Sequence, residues 1–356
     1  MEKKKVVVGM SGGVDSSVTA YLLKQQGYDV IGATMNIWEQ QSDGSCCGLS
    51  AVNDARRVAD MLEIPYYVMN FKKEFKEKVV DYFFEEYKNG KTPNPCIQCN
   101  RYVKWESLFQ RAKELGADYI ATGHYAKVRK HPVTGRYCIE MSEAVGKDQT
   151  YVLYNLTQHQ LEHTLMPCGD YNKDEIREIA EKIGLRVAHK PDSMEICFVP
   201  DNDYVGFLEE TYNYKPKKGN FVDMKGNVLG KHNGIINYTV GQRKGLGIAF
   251  GKPVYVNKII PERNEVVLGS NNDLFNTTVY ADNVNFCAWE SIEGEKRAKA
   301  KIRYAHKASP CTVSCENGIL KCVFDEPQRA ATPGQALVVY DEDNYVLCGG
   351  TIIRHK

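Results

Sequence analysis

The chain has 356 residues, which at ~150 residues per domain predicts two or three domains, each large enough to bury a core. With 43% apolar and 26% charged residues it is not a disordered, collagen-like or fibrous protein, and no apolar run approaches the ~18 residues of a membrane span. The 46 basic and 45 acidic residues leave a net charge of +1, so any phosphate-binding surface has to be local.

The N-terminus leads into only three valines before Gly9. That is too short for a secretory h-region and lacks the Arg/Ser-rich character of a transit peptide, so the cytoplasm is the expected compartment and no membrane is involved. Twelve cysteines diluted over this length are expected to be mostly reduced and buried.

Val6-Val7-Val8 reads as a short buried strand. It enters Gly9-Met10-Ser11-Gly12-Gly13-Val14-Asp15-Ser16, and a helix is expected from about Ser17 to Gln26, stopped by Gly27. Asp29 to Thr34 is a second strand. Ala51, Ala55, Val58, Ala59 and Leu62 repeat at helical spacing, with Ser50 as the expected N-cap. Tyr66 to Met69 is a third strand, followed by a helix with Phe75, Val79, Phe83 and Tyr87 on one side. Trp105, Leu108, Ala112 and Leu115 mark another helix closed by Gly116, and Asp118 to Thr122 is the next strand. Strands alternating with helices predict a parallel sheet covered on both faces.

From about residue 126 the pattern changes. Val133-Thr134-Gly135-Arg136 predicts a hairpin turn, and two helices follow. The second is expected to start at Asn172, with Glu175 completing a capping box. After about residue 213 the helical period disappears. Short alternating runs punctuated by Gly and Asn predict small β-barrels, with a seam near Asn271-Asn272-Asp273.

Three segments carry chemistry. Small residues between a strand and a helix, as in Ser11 to Ser16, let backbone N–H groups approach a phosphate, and the helix N-terminus adds positive potential. No Lys-Ser/Thr follows, so this is not the G-x-x-x-x-G-K-[ST] loop. It resembles instead the pyrophosphate loop of the ATP-pyrophosphatases, which split ATP into AMP and pyrophosphate. The second segment, Asn94-Pro95-Cys96-Ile97-Gln98-Cys99-Asn100, reads as a proline-rich loop before a helix. A cysteine just before a helix N-terminus has its thiolate favoured. The third is Ser193-Met194-Glu195-Ile196-Cys197-Phe198. Residue chemistry leaves alternatives open there: Cys197 as a core residue, a zinc site using Cys96 and Cys99 with Cys46-Cys47, or an iron–sulfur cluster on Cys96, Cys99 and Cys197.

Taken together, these motifs resemble the tRNA-specific 2-thiouridylase family. The resemblance adds Ala121-Thr122-Gly123-His124-Tyr125-Ala126, Lys147-Asp148-Gln149-Thr150-Tyr151 and the run Tyr238 to Gly247. It continues through Lys301-Ile302-Arg303-Tyr304 and Thr332-Pro333-Gly334-Gln335-Ala336, so the motifs stand in family order over nearly the whole chain.

The resemblance implies sulfuration of C2 of the wobble uridine in tRNAs for Lys, Glu and Gln. It implies an α/β fold: an ATP-pyrophosphatase, Rossmann-like domain over 1–212 with a helical, tRNA-recognising region from about 126, then small β domains over 213–273 and 274–356. ATP contacts are implied for Gly9, Met10, Ser11, Gly12, Gly13, Val14, Asp15, Ser16, Met35 and Gly123, with Mg²⁺ as the companion ion. Cys99 is implied as nucleophile and Cys197 as persulfide carrier, loaded by a sulfur donor such as a cysteine desulfurase or sulfur-relay protein. Asn94, Pro95 and Cys96 are implied beside the target base, and His124, Lys147, Asp148, Gln149, Arg303, Tyr304 and Gln335 on tRNA. An iron–sulfur cluster is not favoured. Some members carry Asp where this chain has Cys96, so a proton-transfer role assigned to that acid must fall elsewhere here or be unnecessary. The segment from Asn89 to Gln98 is expected to order on tRNA binding. An amidotransferase-type ligase would share the first loop without needing Cys99 and Cys197, and a non-catalytic tRNA binder would not need the loop.

Overall fold

The computed structural model describes residues 3–38, 49–144, 146–190, 196–199, 202–248, 251 and 253–354. Five parallel strands form the N-terminal sheet: β1 (Lys5–Gly9), β2 (Asp29–Asn36), β3 (Tyr66–Asn70), β4 (Tyr119–Ala121) and β7 (Thr164–Leu165). Their order is β3-β2-β1-β4-β7. Val6, Val7 and Val8 of β1 pair with Val30, Ile31 and Gly32 on one side and with Tyr119, Ile120 and Ala121 on the other. All three valines are fully buried, as a strand covered on both faces requires.

The chain runs outward from β1 through β2 to β3 and then returns to the other side of β1 as β4. The crevice beyond the C-terminal ends of β1 and β4 is therefore a topological switch point, where open α/β sheets bind ligands. The loops 10–13 and 122–125 flank it.

Helix α1 (Val14–Gln25) starts three residues earlier than expected, because Gly13 in extended conformation is already its N-cap. Helix α2 (Leu49–Met61) contains Ser50 within its first turn, which corrects the expected cap. A long helix over 72–88 buries Phe75, Val79, Phe83 and Tyr87 as their spacing predicts. Another runs over 95–114 and buries Trp105, Leu108 and Ala112. Both contain a wider π-helical stretch, Lys76–Val80 and Cys99–Leu108.

The second of these helices corrects a boundary that matters for chemistry. It begins at Pro95, not near Asn100: the Asn94 side chain caps it by accepting from the Cys96 N–H at 3.1 Å, and Pro95 takes the first helical position. The Cys-x-x-Cys run lies inside the helix. The N-terminal potential, which fades within the first turn, falls on Cys96 more than on Cys99.

Strands β5 (Ala126–Lys130) and β6 (Tyr137–Met141) form the expected hairpin, with Gly135 at positive φ in its turn. The helix Lys173–Lys182 carries the expected box: Asn172 accepts from the N–H groups of Asp174 and Glu175, and Glu175 accepts from that of Asn172 at 2.7 Å. This region is mortised to the C-terminal domain. Tyr151 Oη donates to the Ala336 carbonyl at 2.8 Å, and Arg136 Nε to the Cys287 carbonyl at 3.0 Å.

Two β units follow. In the middle one, β8 (Gly219–Val222), β9 (Val228–His232), β10 (Tyr255–Ile260) and β11 (Glu265–Gly269) pair in the order β10-β11-β8-β9. The last six strands close into a barrel in the order β12-β15-β14-β13-β16-β17, running from β12 (Phe275–Phe286) through β13 (Lys296–Lys301), β14 (Ser309–Glu316), β15 (Ile319–Arg329) and β16 (Ala336–Tyr340) to β17 (Val346–Ile352). Six of the ten described cysteines are buried. Burial pushes the thiols of Cys138, Cys168 and Cys287 up to about 12, which keeps them protonated and inert. Cys46 and Cys47, invoked for a zinc site, and Ser193 to Glu195 lie outside the described residues.

Candidate active site

The turn out of β1 is built by its own small side chains. The Ser11 N–H donates to Ser16 Oγ at 3.2 Å, and the hydroxyls of Ser16 and Ser17 donate to the Gly13 carbonyl at 3.2 and 2.8 Å. Gly12 sits at φ +70°, where a Cβ would also collide with the Ala51 carbonyl at the start of α2. Met10 is tied to β2, its N–H donating to the Ala33 carbonyl and its carbonyl accepting from Thr34 Oγ1 at 2.7 Å. Met35 lies near the C-terminal end of β2. Across the crevice, a Cβ on Gly123 would stand 2.7 Å from both the Asp15 carbonyl carbon and the Ser16 nitrogen. Glycine is needed there because two backbones touch.

Asp15 is fixed from two sides. Tyr125 Oη donates to its Oδ1 at 2.7 Å, and Lys173 Nζ donates to both carboxylate oxygens at 2.8 and 2.9 Å. Gln149 in turn positions Tyr125: its side-chain oxygen accepts from the Tyr125 N–H, and its backbone N–H donates to the Tyr125 carbonyl, both at 2.9 Å. Lys190 Nζ donates to the Gly12 carbonyl at 3.2 Å and pairs with Asp54 at 3.0 Å. Lys173 and Lys190 put two cations on a loop shaped for phosphates, and neither stands out in the sequence. Lys173 reads there only as the first residue of a capped helix.

The sulfur-bearing side lies on the largest core. Cys96 is exposed, while Cys99 and Cys197 are half-buried. Both of the latter pack, with Met35, against the same apolar cluster. Phe198 anchors the Cys197 segment with ring centroids 5.5 Å from Phe75 and from Phe83 on the 72–88 helix. The adjacent 95–114 helix carries Cys99. One turn past Cys99, Lys104 Nζ meets Asn100 Oδ1 at 2.9 Å and His124 Nε2 at 3.3 Å.

The expected tRNA residues fall into two groups. Tyr304 is 43% exposed. Its phenol is pushed up by burial, with the charges of Asp148 and Cys96 adding to the effect. Asp148 accepts from Thr150 Oγ1 at 2.7 Å and faces Lys301 at 3.5 Å. Lys147 lies in the turn just before, its N–H on the Ala144 carbonyl. The second group makes internal bonds: Arg303 Nη2 donates to the Ala330 carbonyl at 2.6 Å and to Thr332 Oγ1 at 3.0 Å. Gln335 Nε2 donates to the Thr92 carbonyl at 2.7 Å.

Thr92 also donates its N–H to the Pro333 carbonyl at 2.8 Å and its hydroxyl to Thr239 Oγ1 at 3.1 Å, and Arg354 bonds the Asn89 carbonyl. The segment expected to order on tRNA binding is latched to both β units through Thr92. The Pro-Asn-Pro run reads as a loop because the anchors lie far along the chain. As for metals, among the described residues His159, Glu162 and His163 bring ligand atoms within 4.8 Å of one another on the surface. Lys113 stands 3.2 Å from His159 Nε2 and opposes a cation there.

The family described as tRNA methyl transferase HUP domain matches residues 4–201. The companion PRC-barrel and aminomethyltransferase beta-barrel domains match residues 206–270 and 276–353. The tRNA-specific 2-thiouridylase MnmA of Lachnoclostridium phytofermentans is 61% identical over 99% of this chain and 100% of its own length. That of Clostridioides difficile is 56% identical over 99% and 98%. The U34-tRNA thiolase NcsA from Methanococcus maripaludis, solved with its [4Fe-4S] cluster, is similar at a TM-score of 0.35 and 20% identity over 60% of this chain and 64% of that chain, too distant to argue from. A family model over residues 4–201 and end-to-end identity of 56–61% lead to one assignment: the chain belongs to the tRNA-specific 2-thiouridylase family.

Proposed function

We propose that this protein is a tRNA-uridine 2-sulfurtransferase that adenylates the wobble uridine of tRNAs for Lys, Glu and Gln and replaces O2 with sulfur. The observation that carries the reading is the placement of the Ser11 to Ser16 loop at the sheet's switch point, with Gly123 closing on it and the Cys99 helix beside it. The proposed cofactor-binding set is Gly9 to Ser16 with Met35 and Gly123, to which Lys173 and Lys190 are added as phosphate cations. Asp15 supplies hard carboxylate oxygens that suit Mg²⁺, and Lys173 occupies them here. When bound, the ion neutralises charge on the pyrophosphate.

Uracil O2 attacks the α-phosphorus. The O2–P bond forms, the bond to the bridging oxygen breaks, pyrophosphate leaves with the electron pair, and N3 gives its proton to solvent. AMP on O2 is now a good leaving group. Sulfur arrives as a persulfide on Cys197, loaded by a cysteine desulfurase or relay protein. In one route Cys99 attacks Cys197 Sγ and frees hydrosulfide, which adds to C2. In the other the terminal sulfur adds to C2 and Cys99 then cleaves the S–S bond. Both expel AMP and leave a Cys99–Cys197 disulfide, which a reductant must open before the next turnover.

Asn94, Pro95 and Cys96 frame the base, and the exposed Tyr304 is suited to stack on it once it leaves the anticodon stack. The proposed domains are a catalytic unit spanning residues 1–212, a middle β unit spanning 213–273 and a barrel spanning 274–356. Among the described residues no helix is long and apolar enough to cross a membrane, and the cytoplasm is the proposed compartment. The test is nucleoside analysis of tRNA from cells lacking this protein. Loss of wobble 2-thiouridine is expected, restored by the gene in trans; unchanged 2-thiouridine would refute the assignment.

A further inference from the structure

Three lysines stand around the crevice between β1 and β4, and they differ in what balances their charge. Lys173 is paired with Asp15 and Lys190 with Asp54. Lys104 is half-buried, and among the described residues its ammonium meets no carboxylate; its partners are the neutral acceptors Asn100 Oδ1 and His124 Nε2.

Both acceptors are themselves fixed. Asn100 is buried and donates Nδ2 to the Val152 carbonyl at 2.9 Å. An ammonium only donates, so His124 accepts at Nε2 and carries its proton on Nδ1, which donates to Thr122 Oγ1 at 2.7 Å. Burial, with Lys104 adding to it, holds the imidazole well below its usual range, so the ring stays neutral beside the cation. The full charge of Lys104 is thus held in place by groups that do not cancel it. Taking a cation partly out of water is unfavourable unless an anion meets it.

The position indicates which anion. His124 follows Gly123, whose backbone touches the Asp15–Ser16 peptide. Asn100 follows Cys99 on the helix. The ammonium therefore lies between the phosphate loop and the sulfur-bearing turn, where the phosphate joined to the base has to be. We propose that Lys104 binds the α-phosphate of ATP and, after adenylation, the AMP carried on the uridine.

This rests on the adenylation reading above. As the O2–P bond forms and the bond to the bridging oxygen breaks, charge builds on the non-bridging α-oxygens. The same oxygens depart with AMP when sulfur takes C2. A fixed cation stabilises both steps, and a preorganised group of this kind is worth roughly 10²–10³ in rate. Lys173 and Lys190 face the pyrophosphate that leaves; Lys104 faces the phosphate that remains.

The test uses the full chain with tRNA and follows ATP–pyrophosphate exchange, with ATP and with the two diastereomers of ATPαS. Lys104→Gln keeps a donor for Asn100 but removes the charge. Exchange is expected to fall roughly 10²-fold or more, with tRNA affinity and thermal stability unchanged and partial recovery in Lys104→Arg. The preference between the two diastereomers is expected to change in Lys104→Gln, which a purely structural role would not produce. Exchange near the wild-type rate, or an equal loss for ATP and both diastereomers, would overturn the proposal. Absence of exchange in the wild type would instead overturn the adenylation reading itself.

Discussion

The loop between β1 and α1 is closed by bonds that span three to five residues, among Ser11, Gly13, Ser16 and Ser17. The segment leading to Cys99 is held instead by partners 147 and 243 residues further along the chain, Thr239 and Gln335. The backbone turn at the phosphate end is thus closed locally, once one strand and one helix have formed, and Gly123, Tyr125, Lys173 and Lys190 are added to it by the fold. The proposed base and sulfur end is held in place only when all three domains of the chain are docked. Changes at the first end should strike ATP chemistry and leave tRNA bound, and changes at the second should strike thiolation and leave ATP chemistry intact.

The largest effect is expected at the thiols. Cys99→Ser and Cys197→Ser should each abolish 2-thiouridine formation in vitro, measured with ATP and a cysteine desulfurase supplied with cysteine as the persulfide donor. Cys96→Ser should keep substantial activity, because that thiol is exposed at the surface. Loss in all three variants, with iron bound in anaerobic preparations, would replace the persulfide by a three-cysteine cluster.

Next comes Asp15→Asn. It keeps an acceptor for Tyr125 but removes the charge that faces Lys173. Exchange of pyrophosphate into ATP should fall roughly 10²-fold while tRNA binding is retained; normal exchange would show that Asp15 serves structure alone.

How far the sequence reveals these two ends follows from the same difference. Small residues between a valine strand and an amphipathic helix encode the phosphate turn within a single short run, so the loop is readable without the fold. The box at Asn172 and Glu175 is readable for the same reason. Partners brought together by folding leave no local trace. Lys173, Lys190 and Lys104, the cations proposed for the phosphates, come together around the crevice only through the fold. The helix start at Pro95 is misread because the prolines suggest a loop, although Asn94-Pro95 is also a cap followed by a first helical residue. β7, a pair of residues at the sheet edge, is too short to give any period.

A smaller and more selective effect is expected for Gly123→Ala. The added methyl would press on the Asp15–Ser16 peptide at 2.7 Å. Overpacking of this kind typically costs ~1–3 kcal/mol, so ATP affinity should fall about tenfold or more by calorimetry with tRNA affinity unchanged. Equal weakening of both would mean that the loop and the tRNA surface are coupled.

The smallest effect is expected at the latch. Gln335→Leu removes one bond to Thr92, worth ~1 kcal/mol or about fivefold, and should lower the thiolation rate by that factor with ATP affinity intact. A loss of tRNA binding beyond this would indicate that Gln335 also meets the tRNA directly.

The central claim is that activation of the base and delivery of sulfur are separable. The most direct measurement is tRNA-dependent ATP–pyrophosphate exchange in the double variant Cys99→Ser, Cys197→Ser. Exchange close to the wild-type rate, with no 2-thiouridine in the tRNA, is the predicted result. Loss of exchange together with thiolation, in a variant that still binds ATP and tRNA, would contradict it.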